Sequence, residues 1–352
     1  METEATRDAE RLPEAERFGR EILPAVSRTF ALSIRVLPGE LGRAVLAAYL
    51  LCRIADTLED EPALPAAAKA ALLVDLSQCF DAPDAADAFP TRVAAIVGEP
   101  AHVRLTRHAD LVFVLFRSLA PATRGHVRRW VGEMIGGMRK FVLLYPNGIR
   151  IQSLEEYREY CYYVAGTVGY LLTDLWHEHA PSIGERRYQV LREKCRAFAE
   201  ALQTVNILKD VATDAEQENS IYIPEQLLRE HGSSHAEILH ADRLRGTRAA
   251  LATLVTLAQH DLEGARSYLL LIPRRAVPIR LFCVMPLLFA YATLRDLTQV
   301  PHALAQRQVV KISRREVQSL TLIGFLVILS NRGVAWLADR AMRRPFELAA
   351  FR

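Results

Sequence analysis

Acidic side chains recur at a four-residue spacing in two separate parts of the chain. Asp56 and Asp60 form the first pair, with Glu59 between them, and Asp210 and Asp214 form the second. Residues four apart share one face of a helix, where like charges repel. Mg²⁺ is commonly held by one or two carboxylates together with phosphate oxygens, so each pair is a candidate ligand set. Taken alone, the first pair is also explained by a solvated acidic helix end.

The second pair continues a polar stripe along its helix. Asn206 lies four residues before Asp210, and Gln203 lies at the start of the same stripe. Two helices that each present such an aspartate pair would form opposed walls of a diphosphate site if they faced each other. Two or three Mg²⁺ ions at such a site would neutralise the leaving diphosphate and promote ionisation of an allylic C–O bond. The joint pattern is far more specific than either pair alone.

A tyrosine-rich segment, residues 157–176, contains two glycines within a predicted helix. Gly166 and Gly169 each cost a helix about 1 kcal/mol relative to alanine. They would leave room for another helix or a bulky ligand, and they would permit a kink. The ring of Tyr163, near this gap, could stabilise a carbocation. Core aromatic residues beside a close helix crossing are the alternative.

Helical periodicity dominates the chain from about Glu14 onward and predicts an all-α protein. We predict a single domain over residues 1–352, with a catalytic core at about 20–316 and an apolar and basic helical segment at 317–352. Helices are expected over residues 44–60 and 195–214, and a helix start within 65–71. Breaks are predicted at residues 37–39, 61–62, 81–90, 98–100, 146–148, 181–184, 224 and 231–234.

The totals exclude several classes of protein. A net charge of +3 over 352 residues, without a basic stripe among aromatic residues, argues against nucleic acid as a partner. The five cysteines are scattered and lack C-x-x-C spacing, so they indicate core residues in a reducing compartment. The charged N-terminal residues lack the apolar stretch of a secretory signal, and a cytoplasmic location is expected.

The apolar residues 320–329 are too few for the roughly 20 that a bilayer-spanning helix needs. A core helix with solvated basic ends is the favoured interpretation. Basic residues surround this segment, so peripheral contact with an anionic membrane surface is the alternative.

Four motifs, in their order along the chain, identify a family. They are Ser27-Arg28-Thr29-Phe30, then Tyr49-x-x-x-Arg53-x-x-Asp56-Thr57-Leu58-Glu59-Asp60, then Tyr160-Cys161-Tyr162-Tyr163-Val164-Ala165-Gly166, and then Gln203-x-x-Asn206-Ile207-Leu208-Lys209-Asp210-x-x-x-Asp214. Over about residues 27–316 the chain resembles the squalene/phytoene synthase family. The resemblance implies a class I isoprenoid synthase fold, with helices around a deep central cavity and both aspartate motifs at its mouth. It also implies head-to-head coupling of two prenyl diphosphates, with farnesyl diphosphate as the expected substrate, through a cyclopropylcarbinyl diphosphate.

The resemblance also implies roles for individual residues. The implied Mg²⁺ ligands are Asp56, Glu59, Asp60, Asp210 and Asp214, with Asn206 in support. The implied contacts to substrate or cofactor phosphates are Ser27, Arg28, Arg53, Gln203, Asn206, Lys209, Lys311 and Arg314. The implied catalytic residues are Tyr49, Arg53 and Tyr163, which match positions for proton handling, phosphate contact or cation stabilisation, and Phe30, which matches a cavity wall.

The C-terminal membrane anchor of the eukaryotic relatives is missing or reduced here, which suggests a soluble or peripheral bacterial type. Two further features resemble the squalene-forming members. The acidic motif at 56–60 is one, and residues 309–312 resemble a segment associated with NADPH. NADPH is therefore an expected cofactor, used to reduce the coupled intermediate to squalene. Lys209 departs from a usual arginine, and Ser313 stands where a second basic residue is expected.

Several alternatives stay open. A sister enzyme would make phytoene or dehydrosqualene without NADPH, or would stop at the cyclopropyl intermediate. A terpene cyclase would use one prenyl diphosphate, and a noncatalytic assembly factor would keep the scaffold without its metal ligands. The protein is expected to act as a monomer.

Overall fold

The computed structural model describes residues 4–299 and 310–348. These residues form helices, and no β-strand occurs among them. An isolated parallel bridge joins Arg150 to Ile221. The all-α prediction is confirmed. The described chain divides into two compact units, residues 1–147 and 148–352, and the single domain stays a prediction.

The first unit is built around a helix that is apolar on nearly every side. Its helices are α1 (Glu4–Val26), α2 (Arg28–Arg35), α3 (Gly39–Asp60), α4 (Ala66–Gln78), α5 (Pro83–Arg92), α6 (Pro100–Thr106), α7 (Ala109–Arg117) and α8 (Pro121–Leu144). Leu50, Leu51 and Ile54 of α3 are completely buried, and α3 packs against α7 and α8. The polar side chains of α3 are therefore held by a helix whose other residues are packed in the core of this unit.

The second unit contains a 33-residue helix and the segment with the two glycines. Its helices are α9 (Leu154–Cys161), α10 (Thr167–His179), α11 (Glu185–Gln217), α12 (Glu225–Glu230), α13 (Leu244–Leu271), α14 (Val277–Gln299), α15 (Arg314–Val327) and α16 (Asn331–Arg343), with a π-helical turn at Tyr162–Gly166 and a 3₁₀ turn at His235–Glu237. Helix α11 packs along α13. Helix α14 has the length and apolarity of a bilayer-spanning helix, but 89% of its most apolar window is buried, as in the core helix of a globular protein.

Most predicted breaks coincide with helix ends, but residues 81–90 do not. Helix α5 occupies most of that stretch, so the prediction of a break there is wrong. Pro83 stands in the first turn of α5, where a missing N–H group costs nothing. Ala86 and Phe89 are buried and hold the helix in place.

The C-terminal apolar segment also differs from its prediction. Leu320 and Ile328 are buried, whereas Leu322, Phe325 and Leu326 are exposed. Helix α15 packs on α14 and α16, and its other face remains in solvent. The prediction of a core helix is therefore wrong for that face. The five cysteines, in contrast, are all buried with free thiols, which confirms their prediction as core residues.

Candidate active site

A row of predicted site residues lies along one side of α3. Arg53 Nη2 is 3.4 Å from the Tyr49 hydroxyl, and Arg53 Nη1 is 3.3 Å from Asp56 Oδ2. The ring centroids of Tyr49 and Phe30 are 5.5 Å apart, so α2 contributes the last member of the row. The spacing of 49, 53 and 56 places these side chains on one helix face. The structure thus brings together four predicted site residues.

The charges in this row are strongly influenced by burial. Burial raises the pKa of Asp56, against the opposing charges of Arg53 and His102. For Arg53, burial acts to lower the pKa, but the charge of Asp56 and the contact with Tyr49 outweigh it and the pKa is raised. Arg53 Nε is buried and has no hydrogen-bond partner within the described residues. This guanidinium therefore retains a donor for an anionic ligand.

His102, on α6, is a neighbour of this row that the sequence motifs did not indicate. Burial and the charge of Arg53 lower the pKa of His102, while Glu99 and Asp56 act to raise it. His102 Nε2 lies 3.9 Å from Glu99 Oε2. A single histidine on a short helix carries no sequence signal, so only the structure shows its interaction with Asp56.

The other two acidic residues of the 56–60 motif, Glu59 and Asp60, differ in their surroundings. Glu59 is buried, and Asp60 is partly exposed at the last position of the helix. Lys69 Nζ donates a hydrogen bond to the Glu59 carbonyl oxygen at 2.7 Å. Asp60 also contributes to the raised pKa of Arg53. Metal binding by Glu59 and Asp60 stays a prediction.

Ser27 has a structural role in addition to its predicted phosphate contact. It is the N-cap of α2, and its hydroxyl oxygen accepts a hydrogen bond from the Phe30 backbone N–H at 3.2 Å. Such a cap satisfies one of the free N–H groups at a helix start. It fixes the first turn of α2, which carries Phe30. Arg28 is the first residue of α2. Its side chain is not among those that the structure describes, so its phosphate contact stays a prediction.

Helix α11 carries the second polar stripe. Asn206 is exposed, and Gln203, Asp210 and Asp214 are partly exposed. Lys209 Nζ lies 3.1 Å from Asp210 Oδ2, so Lys209 partly compensates the charge of this pair. Val205, Leu208 and Val211 are buried among the apolar residues of the same helix. The predicted polar stripe is therefore present along this helix, beside its buried apolar residues.

Asp214 has the most perturbed carboxyl group of this stripe. Burial, followed by the negative charges of Glu218 and Asp210, raises its pKa to about 8, and Lys209 only partly opposes this. A carboxylate in such surroundings gains stability from a nearby cation. The electrostatics of the second aspartate pair therefore fit a metal ligand.

The turn after α11 is fixed by residues that the motifs did not include. Ser220 N donates to the Asp214 carbonyl oxygen at 2.9 Å, and Arg150 Nη2 donates to Asn219 Oδ1 at 2.6 Å. Asn219 has a positive φ of 50°. A Cβ atom at Gly148 would lie 1.9 Å from the Asn219 carbonyl oxygen, so glycine is required there. These contacts hold the end of α11 next to Asp214.

The segment with the two glycines contains both a close helix crossing and a helical irregularity. Gly169 lies against the backbone of Cys195, which confirms the predicted close approach. Residues Tyr162–Gly166 form a π-helical turn, an irregularity that often marks functional sites. Tyr160 is buried and stacks on Tyr222 at 4.9 Å, so it is a core aromatic residue. Tyr163 lies in the π-helical turn and is partly exposed, and its cation-stabilising role stays a prediction.

The predicted cofactor contacts lie just before and at the start of α15. Lys311 and Arg314 are exposed, whereas Val309, in the same predicted segment, lies outside the described residues. Ser313 is the N-cap of α15 and accepts a hydrogen bond from the Glu316 backbone N–H at 3.0 Å. Helix capping therefore explains the serine that stands where a basic residue was expected.

Each aspartate pair, taken by itself, offers carboxylate ligands for Mg²⁺. Within residues 4–299 and 310–348, no three His, Cys, Asp or Glu side chains are grouped to hold a metal ion. Mg²⁺ usually takes one or two carboxylates and completes its shell with water and phosphate oxygens. The raised carboxyl pKa values of Asp56 and Asp214 fit such a ligand set. The donor chemistry of both pairs is thus suited to Mg²⁺ with a bound diphosphate.

Comparison with solved structures defines the class of fold. The structure of TcSQS with the ligand BPH1237 matches with a TM-score of 0.76 at 21% identity, over 94% of this chain and 98% of that chain. A dehydrosqualene synthase in complex with a ligand matches with a TM-score of 0.58 at 21% identity, over 95% and 97% of the two chains. The fold is therefore the all-α fold that these proteins share.

Sequence comparison defines the family. The squalene/phytoene synthase family model matches residues 23–316, which contain every predicted site residue. The chain belongs to the squalene/phytoene synthase family. Squalene synthase 1 of Arabidopsis thaliana is 25% identical over 79% of this chain and 64% of its own length. Squalene synthase of Schizosaccharomyces pombe is 26% identical over 92% and 67%. The chain thus spans about two thirds of the length of these relatives.

Proposed function

We propose that this protein couples two farnesyl diphosphates head to head through presqualene diphosphate and then reduces the intermediate to squalene with NADPH. The observation that carries the proposal is the family match over residues 23–316, with both aspartate pairs retained within it. The curated relatives reported above are squalene synthases, which supports this product. Retention of both pairs argues against a noncatalytic assembly factor.

The row on α3 supports a role in binding and ionising the diphosphate. Arg53 is a half-buried cation whose buried Nε donor is free, and a guanidinium fork suits phosphate geometry. Mg²⁺, when bound, would neutralise charge on the leaving diphosphate. In the first unit the proposed ligands are Asp56, Glu59 and Asp60, and in the second unit they are Asp210 and Asp214, with Asn206 in support.

Aromatic residues in the same row support stabilisation of the allylic cation. The rings of Phe30 and Tyr49 lie 5.5 Å apart, and the Arg53 guanidinium lies 5.9 Å from the Tyr49 ring centroid. Aromatic faces attract cations through their quadrupole. As the diphosphate leaves, Phe30 and Tyr49 would face the developing positive charge, while Arg53 holds the departing anion. Tyr163 is proposed to act in the same way.

The reductive step is proposed to depend on Lys311 and Arg314. Both side chains are exposed, so their charges are accessible to the phosphates of NADPH. Ser313 caps α15 and donates a hydrogen bond to Glu347 Oε1 at 2.7 Å, so no cation stands at that position. The neutral residue at this position favours a second candidate function, that of a dehydrosqualene-type synthase that does not use NADPH.

Product analysis separates these functions. The protein is incubated with Mg²⁺ and farnesyl diphosphate, with and without NADPH, and the hydrocarbons are identified by mass spectrometry. Squalene that appears only with NADPH supports the proposal. Dehydrosqualene in both incubations supports the second candidate, and a product formed from one farnesyl chain indicates a terpene cyclase.

We also propose that the protein is a cytoplasmic monomer with peripheral membrane contact.

A further inference from the structure

Helix α15 presents a stripe of large apolar side chains to solvent. The stripe consists of Leu322, Phe325, Leu326 and Leu329, which are 43%, 41%, 72% and 58% exposed. The spacing of Leu322, Phe325 and Leu326 places them on one face of α15, and Leu329 lies in the turn directly after the helix. Singly exposed apolar residues are ordinary, but a contiguous row of them marks an interaction surface.

The opposite face of α15 is firmly fixed to the protein. Glu316 Oε1 lies 2.8 Å from Arg295 Nη1, and both side chains are almost completely buried. At the other end, the fully buried Arg280 donates from Nε to the Ile328 carbonyl oxygen at 2.9 Å. Ser313 caps the first turn. The stripe is therefore carried by a preformed, rigid helix rather than by a segment that must fold on binding.

The charge around the stripe is strongly positive. Residues 310–348 contain seven cations, namely Lys311, Arg314, Arg315, Arg332, Arg340, Arg343 and Arg344, and three acidic residues, namely Glu316, Asp339 and Glu347. Each acidic side chain is already engaged, since Glu316 pairs with Arg295, Asp339 with Arg266, and Glu347 accepts from Ser313. Arg315 lies seven residues before Leu322 and therefore on the same helical face. It is exposed, as is Arg332 beyond the other end of the stripe.

We propose that this stripe docks on the surface of an anionic lipid bilayer. Helices that lie in the membrane interface combine an apolar face with basic residues that attract anionic headgroups. The apolar side chains would enter the boundary of the acyl chains, and Arg315 and Arg332 would contact phosphates at the two ends. A second copy of the chain fits less well, because a two-fold interface would bring the same cations against each other. The inference rests on the peripheral membrane contact proposed above and names the surface that makes it, whereas it does not depend on the proposed reaction.

Vesicle binding tests the proposal with three matched variants. Sedimentation is measured with vesicles of phosphatidylcholine, with and without phosphatidylglycerol. The wild-type protein is expected to bind, more tightly when phosphatidylglycerol is present. The double variant Phe325→Asp/Leu326→Asp should lose binding by about tenfold or more. The double variant Arg315→Gln/Arg332→Gln should lose only the preference for phosphatidylglycerol. Val97→Asp changes a 56% exposed apolar residue in the other unit and should bind like the wild-type protein.

Sedimentation velocity and thermal melts accompany these measurements. Unchanged melts for the variants show that lost binding is not lost folding. The proposal is overturned if the wild-type protein binds neither vesicle, or if Val97→Asp weakens binding as much as the stripe variant. It is also overturned if the wild-type protein is a dimer that Phe325→Asp/Leu326→Asp dissociates without any vesicle binding, since the stripe is then a contact between two copies.

Discussion

Gly169 of α10 lies directly against the backbone of Cys195 in α11, where an added Cβ atom would be 2.5 Å from the Cys195 carbonyl oxygen. Two packed helix backbones cannot move apart without disturbing the core on both sides. Only glycine therefore permits this crossing. The contact belongs to the packing of α10 on α11, the helix that carries Asp210 and Asp214.

Gly169→Ala should destabilise the protein by about 1–3 kcal/mol, the usual cost of overpacking a core. The free energy of unfolding is measured by urea denaturation. The control is Gly136→Ala on α8, where an added Cβ atom meets nothing within 4 Å. That variant should be more stable than the wild-type protein by roughly 0.5–1 kcal/mol, because alanine favours the helix. Equal effects in the two variants would contradict the crossing.

Arg280 is expected to be a structural residue of similar weight. Its fully buried guanidinium donates to the Ile272 carbonyl oxygen at 2.7 Å and to Asn331 Oδ1 at 2.9 Å, in addition to its bond to Ile328. Arg280→Met would leave these buried acceptors without a donor, at a cost of about 3 kcal/mol or more. Thermal unfolding followed by circular dichroism measures the loss. The exposed Arg186→Ala should leave the melting temperature unchanged, and a mild effect of Arg280→Met would argue against this role.

The sequence predicted the helical class and the polar stripes because both depend on local periodicity. The pattern of α11 was readable because its buried and polar residues alternate along one long helix. The electrostatic interaction of His102 with Arg53 and Asp56, and the hydrogen bond of Arg150 with Asn219, join residues far apart in sequence and leave no such signal. The exposed face of α15 was missed for a related reason. The sequence pattern of a short apolar segment is the same whether other helices cover one side of it or all sides.

The pKa of Asp214 predicts how the stability of the metal-free protein varies with pH. The pKa rises from 3.8 to about 8 on folding, so between these values the folded protein holds a proton that the unfolded chain has released. The free energy of unfolding should therefore fall as pH rises through this window, and this contribution should level off above about pH 8. Urea unfolding in the presence of a chelator measures the slope.

Asp214→Asn removes this titrating group and should make the slope shallower, while Asp56, whose pKa is also raised, still contributes. Asp242→Asn, at an exposed site, serves as the control and should leave it unchanged. If the slope is as steep in Asp214→Asn as in the wild-type protein, Asp214 does not contribute to it.

Lys311→Ala tests the proposed cofactor contact. A charge-assisted hydrogen bond contributes about 1.5–3 kcal/mol, so its loss should raise the KM for NADPH by about tenfold or more. Release of diphosphate in the first condensation should be unaffected, because Lys311 acts only in the reductive step. Arg186→Ala is again the control, because it removes a cation from an exposed site. If hydride from labelled NADPH never reaches the hydrocarbon product of the unmutated protein, the reductive assignment fails.

Asp56→Asn and Asp210→Asn should each lower the rate of diphosphate release by about a hundredfold or more, since each removes a charge from the site that stabilises the leaving group. The fold should be retained. Burial already disfavours the charged form of Asp56, so replacing it with a neutral amide should leave the stability of the metal-free protein unchanged or slightly higher. Glu193→Gln, an exposed change on α11, should alter neither property.

Rates are measured with farnesyl diphosphate and Mg²⁺, and melting curves are measured in parallel. Chelation of the wild-type protein should reproduce the loss, with recovery on adding Mg²⁺, whereas neither variant should recover. An Asp56→Asn protein that turns over normally but unfolds easily would mean that the carboxylate supports the fold and not the chemistry.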